Sequence, residues 1–411
     1  MITRISIKNF KSLADFSLPL GQFTCLIGLN GAGKTTVLQA MDFIGRLACG
    51  ETDFRGWARK DIITKGSNLK TLTFQVDFLL DNKEKVVWYG KYNIDMQRFS
   101  EEQIYFVIDD PESYLPFDKF TPPYNHASYA HYLFLKENTL SYIAGDAVEK
   151  DDKRMLSENH ITLSSKDISL FKYTGSALSA FKFSNPVILA VQKELQKLKS
   201  LELLSPDILR HVSHKNDSMG LSGEGLPGFL SSMSEADAKD LVATLNDFYP
   251  DFKKYEIQHK KFGWKDLLIK EVYFKSPIAV AHINDGFLRV LAMLSQKYSK
   301  ASFLLFDEIE NGINQEVIEK LLKELQNFNG KQVLATTHSA LVLNYLTDDV
   351  AKESVIFLYK NLAGYTQARK FFDIEEMKEK LMYLGPGEVM SDTNLESLSR
   401  TLAQEGKKGS E

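Results

Sequence analysis

The chain has 411 residues, 44% apolar and 25% charged, which suits an ordinary globular protein of two or three domain-sized units. Its formal net charge of −4 gives no global pull toward polyanions, and two cysteines, Cys25 and Cys49, exclude a disulfide framework or a cysteine-built zinc site. MITRISIKNF lacks the apolar core of a signal peptide and no apolar run reaches the ~20 residues that span a bilayer, so the expected setting is cytoplasmic, without membrane contact.

Residues 2–20 alternate apolar and polar in two runs, Ile5/Ile7 and Phe16/Leu18/Leu20, which predict two strands joined at NFKSL. FTCLIGLNGAGKTTVLQAMDFI, 23–44, reads as an apolar strand, a glycine-rich turn, and a helix with Val37, Met41 and Ile44 at helical spacing. The turn matches G-x-x-x-x-G-K-[ST] from Gly28 through Gly33, Lys34 and Thr35. Each residue has a physical reason. Glycines let backbone N–H groups curl around phosphate oxygens, and the helix points its positive end at the same place. Lys34 supplies a mobile cation for the β- and γ-phosphates, and the Thr35 hydroxyl can ligate Mg²⁺. The stretch predicts a bound nucleoside triphosphate.

Residues 46–68 read as loop-rich, and 71–80 with 85–94 as antiparallel strands around an Asp81–Asn82 turn. Gln75 reads as an outward-facing strand residue. Residues 100–180 include the loop DDPESYLPFDKFTPP and carry no assigned chemistry. Val187, Val191, Leu195 and Leu198 fit one helix face opened by Asn185–Pro186, and 234–248 opens on a Ser-x-x-Asp cap before Leu241, Leu245 and Phe248. Neither sustains heptads, so no long coiled coil is expected. From 265 the signals run strand, helix (286–300), strand, helix and the strand KQVLATTH, a rhythm of parallel strands with crossover helices. EGKKGSE reads as a disordered tail.

SFLLFDEIENG ends an apolar strand in Asp307–Glu308. Burying a strand that ends in two carboxylates is costly unless they have partners. Beside a phosphate loop, Asp307 is placed to hold Mg²⁺ with Thr35, and Glu308 to polarise the attacking water as general base. KQVLATTHSALVLNYL puts His338 at the C-terminal edge of a parallel sheet, where such sheets bind ligands and where it can reach the γ-phosphate or the water.

The order NFKSL, GLNGAGKTT, a helical insertion, INDGFLR, FLLFDEIENG and ATTHS resembles the ABC-type ATPase heads of the SMC/RecF class. More narrowly, it is similar to prokaryotic ATPases related to the ATPase domain of the OLD family. The resemblance implies an α/β P-loop NTPase with a mixed sheet, an antiparallel N-terminal β subdomain and an inserted helical subdomain. It divides the chain into 1–185 and 259–411, the two halves of a split head, around a helical subdomain at 186–258. It also implies a face-to-face homodimer or higher oligomer, each ATP held between one copy's phosphate loop and the other's signature. Carried over by position, Gly28, Asn30, Gly31, Ala32, Gly33, Lys34, Thr35 and Thr36 wrap the phosphates. Thr35 and Asp307 hold Mg²⁺, Glu308 is the catalytic acid and His338 the switch histidine. Asn311–Gly312 begin the loop that crosses the interface, and Lys11 is a basic residue near the nucleotide.

Leu221–Ser222–Gly223 looks like a signature, but it lies far upstream of Asp307. Asn284–Asp285–Gly286 opens the helix that runs into the Asp–Glu strand, so Asn284 and Gly286 are the candidates, with Asn284 or Asp285 as helix cap. Relatives often continue E-N-G-x-H-P, whereas this chain has Glu310–Asn311–Gly312–Ile313–Asn314–Gln315. The stretch after His338 is too short for the head's last elements plus the nuclease domain of OLD proteins. The expected function is therefore an ATPase that dimerises on ATP and controls a separate effector, such as a nuclease or toxin, in prokaryotic anti-phage defence. The alternative is a DNA-binding recombination or repair ATPase of the RecF kind, contacting DNA through His259, Lys260, Lys261 and Lys265 and the basic residues of 193–214.

Overall fold

A computed structural model describes residues 1–51, 59–107, 129–136, 139–143, 149–150, 153–154, 160–163, 176–201, 204–216, 218–328 and 330–408. Two large sheets organise them. The first is antiparallel. Ile2–Phe10 pairs with Leu13–Pro19 on one side and Thr71–Leu79 on the other. Lys85–Asn93, Arg98–Val107, Tyr129–Lys136, Thr139–Ile143 and His160–Leu163 follow in a meander. Its alternation is the one legible in the residues, with Phe16 and Leu18 buried and Asp15 and Ser17 exposed in alternation with them.

The second sheet carries the site. Its order is Leu198–Leu201, Phe303–Phe306, Gln332–Thr336, Phe23–Gly28, Val355–Lys360 and Thr366–Lys370. All neighbours are parallel except the last pair. Phe23–Gly28, Phe303–Phe306 and Gln332–Thr336 are buried at every residue, as strands covered on both faces must be. One face packs Leu26, Leu305 and Leu334 with Val37 and Met41 of the helix Lys34–Ala48 and the antiparallel sheet. The other packs Ile27, Phe306 and Ala335 with Leu288 and Leu291 of the helix Asp285–Ser295 and Leu321 of the helix Gln315–Gln326. A third, smaller sheet joins Phe252–His259, Lys265–Glu271 and Ile278–Ala279.

Several expectations need correcting. Leu198 does not extend the helix Pro186–Gln196, which Asn185 caps through bonds from Val187 and Ile188 N–H. It opens Leu198–Leu201, the edge strand beside Phe303–Phe306. The longer helices of 186–258 bury their apolar faces in different cores, Ile188 and Val191 in one and Leu241 and Leu245 in the other. Gln75 is buried, not outward-facing, and donates to Asp77 Oδ1 at 2.8 Å. Between 100 and 180, most of the described residues extend the antiparallel sheet, and the loop at 109–123 lies outside the described residues. The helix Leu395–Lys408 enters the segment expected to be a tail, of which 409–411 lie outside the described residues.

Candidate functional site

Strands Phe23–Gly28, Phe303–Phe306 and Gln332–Thr336 are parallel neighbours, so their C-terminal ends deliver three loops to one edge. The glycines of the first loop are fixed by what surrounds them. Gly28 has φ 147°, and a Cβ there would meet the Leu358 carbonyl oxygen at 2.4 Å. Gly33 has φ 114°, and its Cβ would meet Thr366 Oγ1 at 2.4 Å. Thr366 Oγ1 also donates to the Ala32 carbonyl at 2.8 Å, so it braces the loop from behind. Gly31, at φ 78°, faces open space. Gly33 is the left-handed N-cap of the helix Lys34–Ala48 and brings no side chain to cap it. Asn30 and Thr35 are exposed, Thr36 half-buried, and Ala32 and Lys34 buried. First-turn N–H groups at an uncapped helix start suit an anion, so the donor set fits a polyphosphate.

Lys34 Nζ donates to the Gly28 and Leu29 carbonyls at 2.7 and 3.2 Å and lies 3.4 Å from His338 Nδ1. Burial draws its pKa down, opposed by the charges of Asp307, Glu308 and Glu310. Thr35 Oγ1 donates to Asp307 Oδ2 at 3.0 Å. Thr336, the last residue of its strand, ties the two acids together: its hydroxyl donates to Asp307 Oδ1 and accepts from Glu308 N–H at 2.9 Å. Glu308 sits at φ 47°, a costly left-handed conformation for a residue with a side chain, of the kind that collects at functional sites. Its Oε2 accepts from Asn311 Nδ2 at 3.2 Å, and its Oε1 stands 3.6 Å from His338 Nε2. The His338 ring thus lies between Lys34 and Glu308. Its backbone N–H donates to Glu310 Oε1 at 2.8 Å, while Glu310 Oε2 is buried with no hydrogen-bond partner among the described residues.

The structure therefore brings Lys34, Thr35, Asp307, Glu308 and His338 to one place. It sets Asn284 and Gly286 at the start of the helix Asp285–Ser295, against the loop that follows Glu308. Asn284 caps the helix Asp285–Ser295, its Oδ1 accepting from Phe287 N–H at 2.7 Å, while Asp285 accepts instead from Arg210. Gly286 needs to be glycine, since a Cβ would meet the Gly312 carbonyl oxygen at 2.5 Å. Arg289 adds a bond to the Asn311 carbonyl at 2.7 Å, so the start of this helix and the loop after Glu308 form one packed unit. Asn284, Asn311 and Gly312 are exposed on it. Lys11, at φ 47°, donates to Gln39 Oε1 at 2.7 Å, one turn along the helix from Thr35.

Sequence reasoning missed Thr336, Glu310, Thr366 and Arg289. Thr336 and Glu310 stood two residues from His338 and Glu308, inside segments already singled out. Thr366 carried no local signal, because its role depends on an antiparallel strand packed behind the loop. Among the described residues no three His, Cys, Asp or Glu side chains form a metal site of their own. Mg²⁺ would be held by Thr35 and Asp307 together with substrate phosphates, the usual habit of that ion.

The model of the AAA ATPase domain family matches residues 1–275. A second AAA domain model, whose description names an AbiEii toxin of a type IV toxin–antitoxin system, matches residues 274–344. An OLD nuclease of Thermus scotoductus is 52% identical over 44 residues, 11% of this chain and 8% of that protein's length. Among solved structures, an SMC head bound to the C-terminal winged-helix domain of ScpA covers 90% of this chain and 96% of its own, with TM-score 0.48 at 14% identity. The SMC head domain from Thermotoga maritima covers 90% and 98%, with TM-score 0.44 at 10% identity.

Proposed function

The chain belongs to the AAA ATPase domain family, and from that premise we propose that it binds ATP with Mg²⁺ at Gly28–Thr36, hydrolyses it, and dimerises in doing so. The observation that carries the reading is the meeting of Thr35 and Asp307 at 3.0 Å with Lys34, Glu308 and His338 around them. Gly28, Gly31 and Gly33 shape the phosphate cradle, Asn30, Ala32 and Thr36 line it, and Lys34 faces the β- and γ-phosphates. Thr35 and Asp307 hold Mg²⁺, which supplies charge neutralisation at the phosphates. Glu308 takes the proton of the attacking water, and His338, held by Glu310, orients toward the same water. Lys11 supplies a further cation near the nucleotide.

Dimerisation is supported by the unit that joins Gly286 to the exposed Asn284, Asn311 and Gly312, which offers donors to a second copy's nucleotide. An asparagine amide can donate to a γ-phosphate oxygen. The short OLD nuclease match and the toxin–antitoxin description support a prokaryotic defence setting, with a separate effector contacting the segment 186–258. No helix among the described residues is long and apolar enough to cross a membrane, and the working place we propose is the cytoplasm. Calorimetric titration with Mg·ATP tests the core claim. The wild-type chain binds, Lys34→Ala loses at least about tenfold in affinity, and equal binding by the two chains sinks the assignment.

A further inference from the structure

Far from the phosphate loop in sequence, the strands Phe252–His259 and Lys265–Glu271 form a hairpin whose tip is unusual. Lys260 N–H donates to the Trp264 carbonyl at 2.8 Å, leaving Lys261–Trp264 as the turn. Its two central residues are both left-handed, Phe262 at φ 59° and Gly263 at φ 80°, as the primed hairpin turns require. Glycine suits that backbone. At the first central position Asn, Asp or Gly is the usual choice, and an aromatic there is strained. Phe262 is also 91% exposed, so burial does not repay the strain. Stability alone does not explain this side chain.

What surrounds it is basic and aromatic. The loop carrying His214 and Lys215 is clamped alongside by a pair of backbone bonds between Ser213 and Lys265. The His214 ring packs against Trp264 with centroids 4.1 Å apart and the planes tilted by 37°. Lys215, Lys260 and Lys261 are exposed, and Asp266 is paired with Lys260 at 3.1 Å. On a chain of net charge −4, this is a local cationic surface with a ring held outward at its centre.

We propose that this hairpin tip docks an unpaired nucleic-acid strand. Phe262 stacks on a base, the Trp264–His214 pair offers a second flat surface, and Lys215 and Lys261 meet the phosphates. Stacking on an exposed ring needs a free base face, which a duplex hides and an unpaired strand offers. Lysines beside it supply the sequence-independent attraction. The surface lies outside the ATP site, so the proposal does not rest on the ATPase reading.

The test uses the full chain without nucleotide, and fluorescence anisotropy of labelled oligo-dT, oligo-U and a duplex, each of about 20 nucleotides or base pairs. Both single strands bind more tightly than the duplex, with whichever is tighter naming the source, and affinity falls linearly with log salt. Phe262→Asn restores the preferred Asn–Gly turn, so it keeps or raises the unfolding midpoint while losing about tenfold in affinity. Lys261→Ala makes the salt slope shallower by about 0.7. Equal or tighter duplex binding, wild-type affinity in Phe262→Asn, or equal competition by polyglutamate or anionic lipid vesicles overturns the proposal. So does an absence of single-strand binding at about 50 mM salt, where phosphate contacts are strong.

Discussion

Thr35 and Asp307 meet hydroxyl to carboxylate at 3.0 Å although 272 positions separate them in the chain. Parallel pairing of Phe23–Gly28 with Gln332–Thr336, and of that strand with Phe303–Phe306, brings the two ends together. The site thus forms only when the outer parts of the chain fold as one sheet.

If both residues serve one ion, their losses do not add. Thr35→Ala and Asp307→Ala each lower Mg·ATP affinity by about tenfold, and the double variant is little worse than either. In EDTA the four chains bind ATP alike. Calorimetry with and without Mg²⁺ checks this, and additive losses would assign the two residues to separate tasks.

Glu310 is a positioning residue, since it touches His338 through the backbone rather than the reacting atoms. Glu310→Ala lowers kcat by about tenfold and leaves ATP affinity unchanged, and Glu310→Gln recovers most of the rate because its amide oxygen still accepts from His338 N–H. Steady-state turnover beside equilibrium ATP binding separates this from a general loss of folding, which would move both.

The loop glycines rank by what lies behind them. Gly28→Ala drives a Cβ against a backbone carbonyl that cannot turn aside, whereas Gly31→Ala meets open space. Both incur backbone strain, so Gly28→Ala destabilises the fold by at least about 2 kcal/mol more. Urea unfolding of the two variants measures the gap.

A pH dependence follows from Glu102, fully buried in Arg98–Val107, whose pKa burial pushes up to about 7. Bonds from Ser176, the Ala177 N–H and Trp88 pull the other way. Between pH 4.5, its ordinary value, and about 7 the native chain holds a proton that the unfolded chain has lost. Stability from this group is therefore complete below pH 4.5 and is lost as pH rises through 7, about 3 kcal/mol in all. Relative to Glu102→Gln, which does not titrate, the wild-type unfolding free energy falls by that amount across the window. A constant difference contradicts it.

Much of this was legible in the residues. Glycine spacing marked the loop after Phe23–Gly28, and apolar strands running to Asp307 and His338 marked residues that the structure brings beside it, because a fully buried parallel strand shows as an unbroken apolar run. Local pattern failed where a role is set from across the fold. Leu198 fits a helical stripe, yet the edge of the parallel sheet captures it as strand. Gln75 alternates as a solvent-facing residue would, yet Asp77 gives it a buried partner. Thr366 acts only through the loop it supports. Glu308's left-handed backbone is invisible in sequence, since nothing in the residue type announces it.

The most direct test of the account is Glu308→Gln, followed by single-turnover hydrolysis of radiolabelled ATP and by light scattering with and without Mg·ATP. The account predicts ATP binding near the wild-type level, turnover reduced by about 10²–10⁴-fold, and a dimer that accumulates only with ATP. Wild-type turnover in this variant, or a monomer throughout, would contradict it.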